Sequence, residues 1–280
     1  MIIIKSAEHL HAYILTLKEK GLKIGFVPTM GALHPGHISL IKESVNVNNI
    51  TICSIFINPT QFNNKEDFAK YPVTIEDDIN LLTGSGCDIL FLPTVAEIYS
   101  TAYAIKKYDL GKLETLLEGE FRPGHFQGVC QVVDRLLDIV SPDFMFLGQK
   151  DYQQCMILKQ LIVLRNDEAN IELVFTPTIR EKDGLAMSSR NMRLQPEQRS
   201  KAICIHQCLE TMKLQIHQLP LDRVESNAIK NLEHSGFQVD YVRIVHAETL
   251  EGVNDLNEPI VGLIAATIGS VRLIDNMRLN

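Results

Sequence analysis

The chain has 280 residues, of which 45% are hydrophobic and 22% charged, with a formal net charge of −7. That length can bury a large core, as one big α/β domain or two smaller ones, and the composition is that of an ordinary soluble protein. The acidic balance argues against a general nucleic-acid or anionic-membrane surface, and no apolar run is long enough for a membrane span.

Residues 1–5 are too short and too soon charged for a signal peptide. The six cysteines (53, 87, 130, 155, 204 and 208) form no Cys-x-x-Cys pair, so reduced, mostly buried thiols in a cytoplasmic protein are expected. Cys204 and Cys208, four apart, are expected to share the packed face of a helix rather than hold a metal.

Residues 8–20 carry Leu10, Ile14 and Leu17 at helical spacing before Gly21. The apolar run 24–27 then leads through Pro28-Thr29-Met30-Gly31-Ala32-Leu33-His34-Pro35-Gly36-His37 into an amphipathic stretch at 38–45. This reads as strand, tight loop and helix. The helix start aims backbone N–H groups and the positive end of its dipole at the loop, the usual seat of a phosphate. His34 and His37 can both face that anion, so the loop reads as a triphosphate site. A bare Gly-containing turn and a zinc-binding histidine pair are the alternatives, though no third metal ligand lies nearby.

The β-branched run 50–57 suits a strand covered on both faces and ends at Asn58-Pro59-Thr60-Gln61-Phe62. In a parallel sheet these residues would lie beyond a strand end near the histidines, where Asn58 and Gln61 could bind a small polar substrate; an ordinary Asn-Pro turn is the alternative. A helix from residue 75, with Thr74 as N-cap, places Glu76, Asp77 and Asp78 in its first turn. They are either dipole partners or holders of Mg²⁺ through waters.

A strand follows at 88–93, then a helical stretch near 112–118. Arg122 and His125 look like surface turn residues before a helix at 129–140. The strand 144–147 runs into Gly148-Gln149-Lys150-Asp151 and a helix to about 164, repeating the opening design. Lys150 offers a point charge for phosphate, and Gln154 shares its face. After a strand at 173–175, residues 183–191 form a polar loop with Ser188, Ser189 and Arg190 in a row. Such groups can wrap a pyrophosphate, and the loop could close as a gate; a solvated loop is the alternative. Beyond Pro196 come a long helix to about 215, another at 222–234, and strands near 238–245, 260–267 and 271–274.

Taken together, residues 28–37, 56–62, 122–129, 148–154 and 183–191 resemble the pantothenate synthetases (pantoate–β-alanine ligases) in order and spacing, over essentially the whole chain. The His-x-Gly-His loop alone is shared with the wider nucleotidyl-transferase superfamily. The resemblance implies an α/β fold: a Rossmann-like parallel-sheet domain (1–185) that binds ATP and pantoate, and a smaller α+β C-terminal lid (186–280), in a homodimer.

It further implies ATP- and Mg²⁺-dependent joining of pantoate to β-alanine through a pantoyl adenylate, releasing AMP and diphosphate. Carried over position by position, Met30, Gly31, Ala32, Leu33, His34, Pro35, Gly36 and His37 form one ATP segment. Gly148, Gln149, Lys150, Asp151, Ile179, Met187, Ser188, Ser189 and Arg190 complete it. His37, His34, Lys150 and Arg190 are the expected catalytic groups, Gln61, Gln154 and Asn58 the substrate contacts, and Asp77 and Asp78 the acidic residues near the metal. Cys130-Gln131 and Asp134-Arg135 depart from the commoner family residues, at positions of helix packing.

Overall fold

The computed structural model describes residues 1–62, 68–69, 71–99, 104–253 and 255–280. The chain divides into two compact units, Met1–Gln149 with Ile157–Pro177, and Lys150–Met156 with Thr178–Asn280.

The first unit is built on a six-stranded, all-parallel sheet: β1 (Ile2–Ile4), β2 (Ile24–Thr29), β3 (Ile50–Ile55), β4 (Ile89–Phe91), β5 (Phe144–Gly148) and β6 (Glu172–Thr176). Its spatial order is β1-β4-β3-β2-β5-β6. The chain works outward from β2 to one side, then returns to place β5 on the other. The ends of β2 and β5 therefore flank the topological switch point, where open α/β sheets bind ligands. The central strands are continuous in apolar residues because both faces are covered: Ile24, Phe26, Val27, Ile52 and Cys53 have no exposed surface.

Helices α1 (Ala7–Glu19), α2 (Pro35–Val47), α3 (Ile75–Gly84), α4 (His125–Val140) and α5 (Tyr152–Arg165) connect these strands. Helix α2 crosses β2 so closely that a Cβ on Gly25 would run into Ser44 Oγ, whose partner is Thr51 Oγ1 at 2.8 Å. Only glycine fits there.

Three elements of the first unit differ from the sequence expectations. Strand β1 is too short to show periodicity and forms only by pairing Ile2–Ile4 with Ile89–Phe91 of β4. Helix α4 begins four residues early because Gly124 takes the left-handed conformation (φ 78°) and turns the chain straight into it. The stretch near 112–118 is no continuous helix but a 3₁₀ turn at Gly111–Glu114 and a single turn at Glu118–Phe121.

The second unit packs α6 (Pro196–Ala202), α7 (Cys204–Gln215) and α8 (Leu221–His234) with an antiparallel sheet of β7 (Gln238–His246), β8 (Ile260–Ile268) and β9 (Val271–Arg278). The expected long helix is interrupted at Ile203. Leu209, Met212, Val224, Leu232 and Ile264 make the centre of its core.

Candidate active site

In the first unit the loop after β2 is held by one carboxylate. Gly31 (φ 82°) and Ala32 (φ 50°) are both left-handed, and this turn points two successive amides at Asp78. Ala32 N donates to Oδ2 at 3.0 Å and Leu33 N to Oδ1 at 2.8 Å. A Cβ on Gly31 would lie 3.0 Å from Ile55 Cγ2 and 3.1 Å from Asp78 Oδ2, so position 31 needs glycine for both space and φ.

Asp78 is 1% exposed and also accepts the Thr74 hydroxyl at 3.1 Å. Both its oxygens thus accept from protein donors, and the contact this carboxylate makes is with the loop. Thr74 stands at the N-cap of α3, but its hydroxyl serves Asp78 rather than a helix N–H. Asp77 is exposed on the same turn. Among the described residues no group of three His, Cys, Asp or Glu side chains is arranged to hold a metal ion.

Pro35 and Gly36, expected in the loop before the helix, are instead the first residues of α2. Pro35 is suited to this place because a first-turn N–H has no intrahelical acceptor to lose. His34 is the N-cap. Its Nδ1 accepts the Gly36 N–H at 3.2 Å, and His37 Nδ1 reaches back to accept the His34 N–H at 3.3 Å. The two rings lie 4.0 Å apart, centroid to centroid. With each Nδ1 accepting, a neutral ring carries its proton on Nε2, so both imidazoles present an N–H donor away from their own backbone.

The turn after β3 joins this loop. Gln61 Nε2 lies 3.1 Å from Met30 Sδ, which brings the Asn-Pro-Thr-Gln segment to the histidine loop as expected. Asn58 is 1% exposed, and its amide is spent inside the protein. Nδ2 donates to Gln61 Oε1 and to Gly128 O, both at 3.1 Å, while Oδ1 accepts from Tyr99 OH at 2.8 Å and from Thr60. Asn58 thereby orients Gln61.

His125, read as a surface turn residue, is buried, with Nδ1 2.8 Å from Gln61 O. A carbonyl can only accept, so this nitrogen carries the proton. Gly128 allows the approach: a Cβ there would stand 2.5 Å from Thr60 O. Tyr99 and His125 are the residues that local reading missed. The paired glycines at 124 and 128 were the available signal.

Gly148 and Gln149 close β5 at the switch point. In the second unit, Lys150 is largely buried, with its ammonium 3.9 Å from Asp151 Oδ1. Asn276 on β9 donates from Nδ2 to Lys150 O at 2.9 Å. Gln154, one helical turn on, is half-buried.

The 183–191 loop is braced rather than loose. Met187 N donates to Ile179 O at 3.0 Å, and Arg180 pairs with Ala186 as an antiparallel bridge. Arg199 clamps Glu181 and Asp183 at 2.6 and 2.7 Å, holding the Asp183 carboxyl below its usual range. Asn191 Nδ2 bonds Glu181 Oε1 and Ala186 O. Ser188 caps the short 3₁₀ helix Ser189–Arg193 through the Arg190 N–H, so Ser188 to Arg190 sit at a capped turn.

A doubly wound parallel sheet, with a histidine-capped helix start at its switch point, defines an α/β nucleotide-using enzyme. The Pantoate-beta-alanine ligase family model matches residues 2–278, and the chain belongs to that family. It is 44% identical to a pantothenate synthetase of Cytophaga hutchinsonii over 99% of both chains, and 41% identical to that of Bacteroides fragilis over 99% of both. Among solved structures it resembles pantothenate synthetase from Thermus thermophilus (TM-score 0.91, 38% identity, 100% of this chain and 99% of that one). It also resembles the Francisella tularensis pantoate-beta-alanine ligase complexed with beta-gamma ATP and beta-alanine (TM-score 0.83, 37% identity, 100% and 98%).

Proposed function

We propose that the histidine loop and Gln61 of the first unit, and Lys150, Gln154 and Ser188 to Arg190 of the second, act on ATP and pantoate in the family's reaction, the ATP-dependent ligation of pantoate to β-alanine. The observation that carries this reading is the contact between Gln61 and Met30: it joins an amide suited to a small hydroxy acid to the loop suited to phosphate.

A carboxylate must be activated before an amine can displace its oxygen. A pantoate carboxylate oxygen attacks the α-phosphorus of ATP; the new O–P bond forms as the bridge to the β-phosphate breaks, and diphosphate leaves. The free amine of β-alanine then attacks the acyl carbon of pantoyl adenylate. The C–N bond forms, AMP departs with the electron pair of the broken C–O bond, and the ammonium proton passes to water. No side-chain nucleophile is needed, so rate depends on positioning and on charge at the phosphates.

The Nε2–H groups of His34 and His37, the Lys150 ammonium, the two serine hydroxyls and Arg190 are the donors suited to that charge. Mg²⁺ would come with the triphosphate and neutralise part of its charge. Among the described residues no group of three ligating side chains forms a cage for it, and Asp77, exposed at the start of α3, could meet it through water. Free, mostly buried thiols fit a reducing cytoplasm. No described helix is long and apolar enough to cross a membrane. A homodimer is the proposed assembly, open to test by light scattering.

The test is AMP release from ATP with pantoate, with and without β-alanine. Turnover should require all three substrates. His37→Ala and Lys150→Ala should each lower it roughly a hundredfold. Near-normal turnover in either variant removes that residue from the phosphate site.

A further inference from the structure

Lysine is a flexible point charge, so fixing where its ammonium works means fixing its backbone. In the second unit that backbone is tied to the C-terminal strand. Asn276, 8% exposed on β9, donates its side-chain amide to Lys150 O at 2.9 Å. A second tether runs from the Tyr152 hydroxyl to Ala247 O at 2.9 Å. Behind Asn276 lies an ion pair: Arg180 grips Asp275 through both oxygens, at 2.6 and 3.0 Å, and Asp275 Oδ1 accepts the Asn276 N–H at 2.8 Å. Asp275 is 4% exposed, so the pair is barely screened by water.

The same guanidinium donates to Gly184 O at 3.1 Å, and its backbone forms the bridge to Ala186 at the base of the Met187–Arg190 turn. One ion pair thus stands behind two segments that carry phosphate-binding groups.

We propose that Asn276 is a positioning residue for Lys150, and that the Arg180–Asp275 pair sets the register of Lys150 and the Ser188–Arg190 turn together. This rests on the reading of Lys150 as a triphosphate-binding group. Asn276 itself touches no substrate; it acts through a main-chain carbonyl. Its effect belongs to the adenylation step, which handles the triphosphate, and not to the attack of β-alanine, which does not.

That separation supplies the test. Diphosphate–ATP exchange in the presence of pantoate reads the first step. Aminolysis of chemically prepared pantoyl adenylate by β-alanine reads the second. Asn276→Ala should lower exchange about tenfold or more while leaving aminolysis within about twofold of wild type. Unchanged exchange, or both steps falling by the same factor as a merely structural defect would make them, overturns the proposal. Should Asn276→Ala fail to fold, Tyr152→Phe cuts the other tether at almost constant volume. It should reduce exchange severalfold with aminolysis kept, and equal or absent effects again count against the proposal. Lys150→Ala is measured alongside: if its exchange is normal, the phosphate reading of Lys150 fails, whereas a dead Lys150→Ala beside a normal Asn276→Ala sinks only the tether.

Discussion

Asp78 illustrates how a single side chain can be given a task that its sequence neighbourhood does not announce. Three carboxylates at the start of a helix, Glu76, Asp77 and Asp78, invite a metal or a dipole argument. The structure instead spends Asp78 on two backbone amides of a left-handed turn. Asn in its place keeps one acceptor and turns an NH₂ toward the other amide, leaving a buried donor unsatisfied at a cost of about 1–3 kcal/mol. Asp78→Asn should therefore raise the KM for ATP by roughly tenfold and leave the Mg²⁺ concentration for half-activation unchanged. Steady-state titrations of ATP and Mg²⁺ check this; a shifted Mg²⁺ requirement at constant ATP affinity would return Asp78 to the metal.

A second prediction at this scale concerns the thiols. Burial pushes Cys87 and Cys130 up to about 12. Cys204 is only half-buried, and its thiol is drawn down by the Cys208 thiol 4.0 Å away, against the effect of burial and with help from Ser235. Thiolate is the nucleophile, so brief iodoacetamide treatment at pH 7 should alkylate Cys204 first. Peptide mapping that finds another cysteine modified earlier would refute the assignment.

At the scale of elements, the loop 183–191 owes its shape to contacts from outside itself. Arg199 on α6 holds both Glu181 and Asp183. Arg199→Ala should loosen the loop, so limited trypsin digestion should cut after Lys182 or Arg190 severalfold faster. Saturating ATP should slow that cleavage if the loop closes on nucleotide; identical rates with and without ATP speak against it.

The same contrast explains what could be read in advance. Buried parallel strands are continuous apolar runs, so β2, β3 and β5 were legible from residues adjacent in sequence, as was the strand–loop–helix around His34. Strand β1 exists only through its pairing with β4, and His125 is buried only because Gly128 lets α4 meet the turn at Thr60. The support of Lys150 comes from a residue 126 positions away. Capping by His34 and His37 was hidden for another reason: histidine suggests catalysis before it suggests a helix cap.

At the scale of the whole molecule, the carboxyl groups withdrawn from water are perturbed in opposite directions in the two units, and this predicts an order of acid opening. In the first unit, burial alone would raise Asp134, but Lys106, Tyr108 and Arg165 together hold it below the usual carboxylate range. Asp143 is treated likewise: burial pushes up, while the Lys23 ammonium and the Ile24 N–H bring it down further. A carboxyl with its folded pKa below the unfolded value near 4 binds fewer protons when folded. Its stabilisation is complete above that unfolded value and is lost as pH falls toward the folded one.

In the second unit, burial raises Glu225, and the Ile244 N–H and Arg243 only partly offset it. A raised carboxyl has the reverse sign: its contribution is present below the unfolded pKa and is lost as pH climbs through the folded one. Asp183, lowered by Arg199, and Glu197, lowered by Lys201, oppose this only weakly because both lie in water. Acidification from pH 6 to 3 should therefore weaken the first unit before the second. Hydrogen exchange followed by mass spectrometry, corrected for intrinsic rates, should show α4 and β5 losing protection while β8 and β9 keep theirs. Asp134→Asn should cost stability at pH 7 and much less at pH 3, narrowing the gap between the units. Loss of protection in β8 and β9 first, or an Asp134→Asn penalty that does not change with pH, would show that these carboxylates do not govern the acid limb.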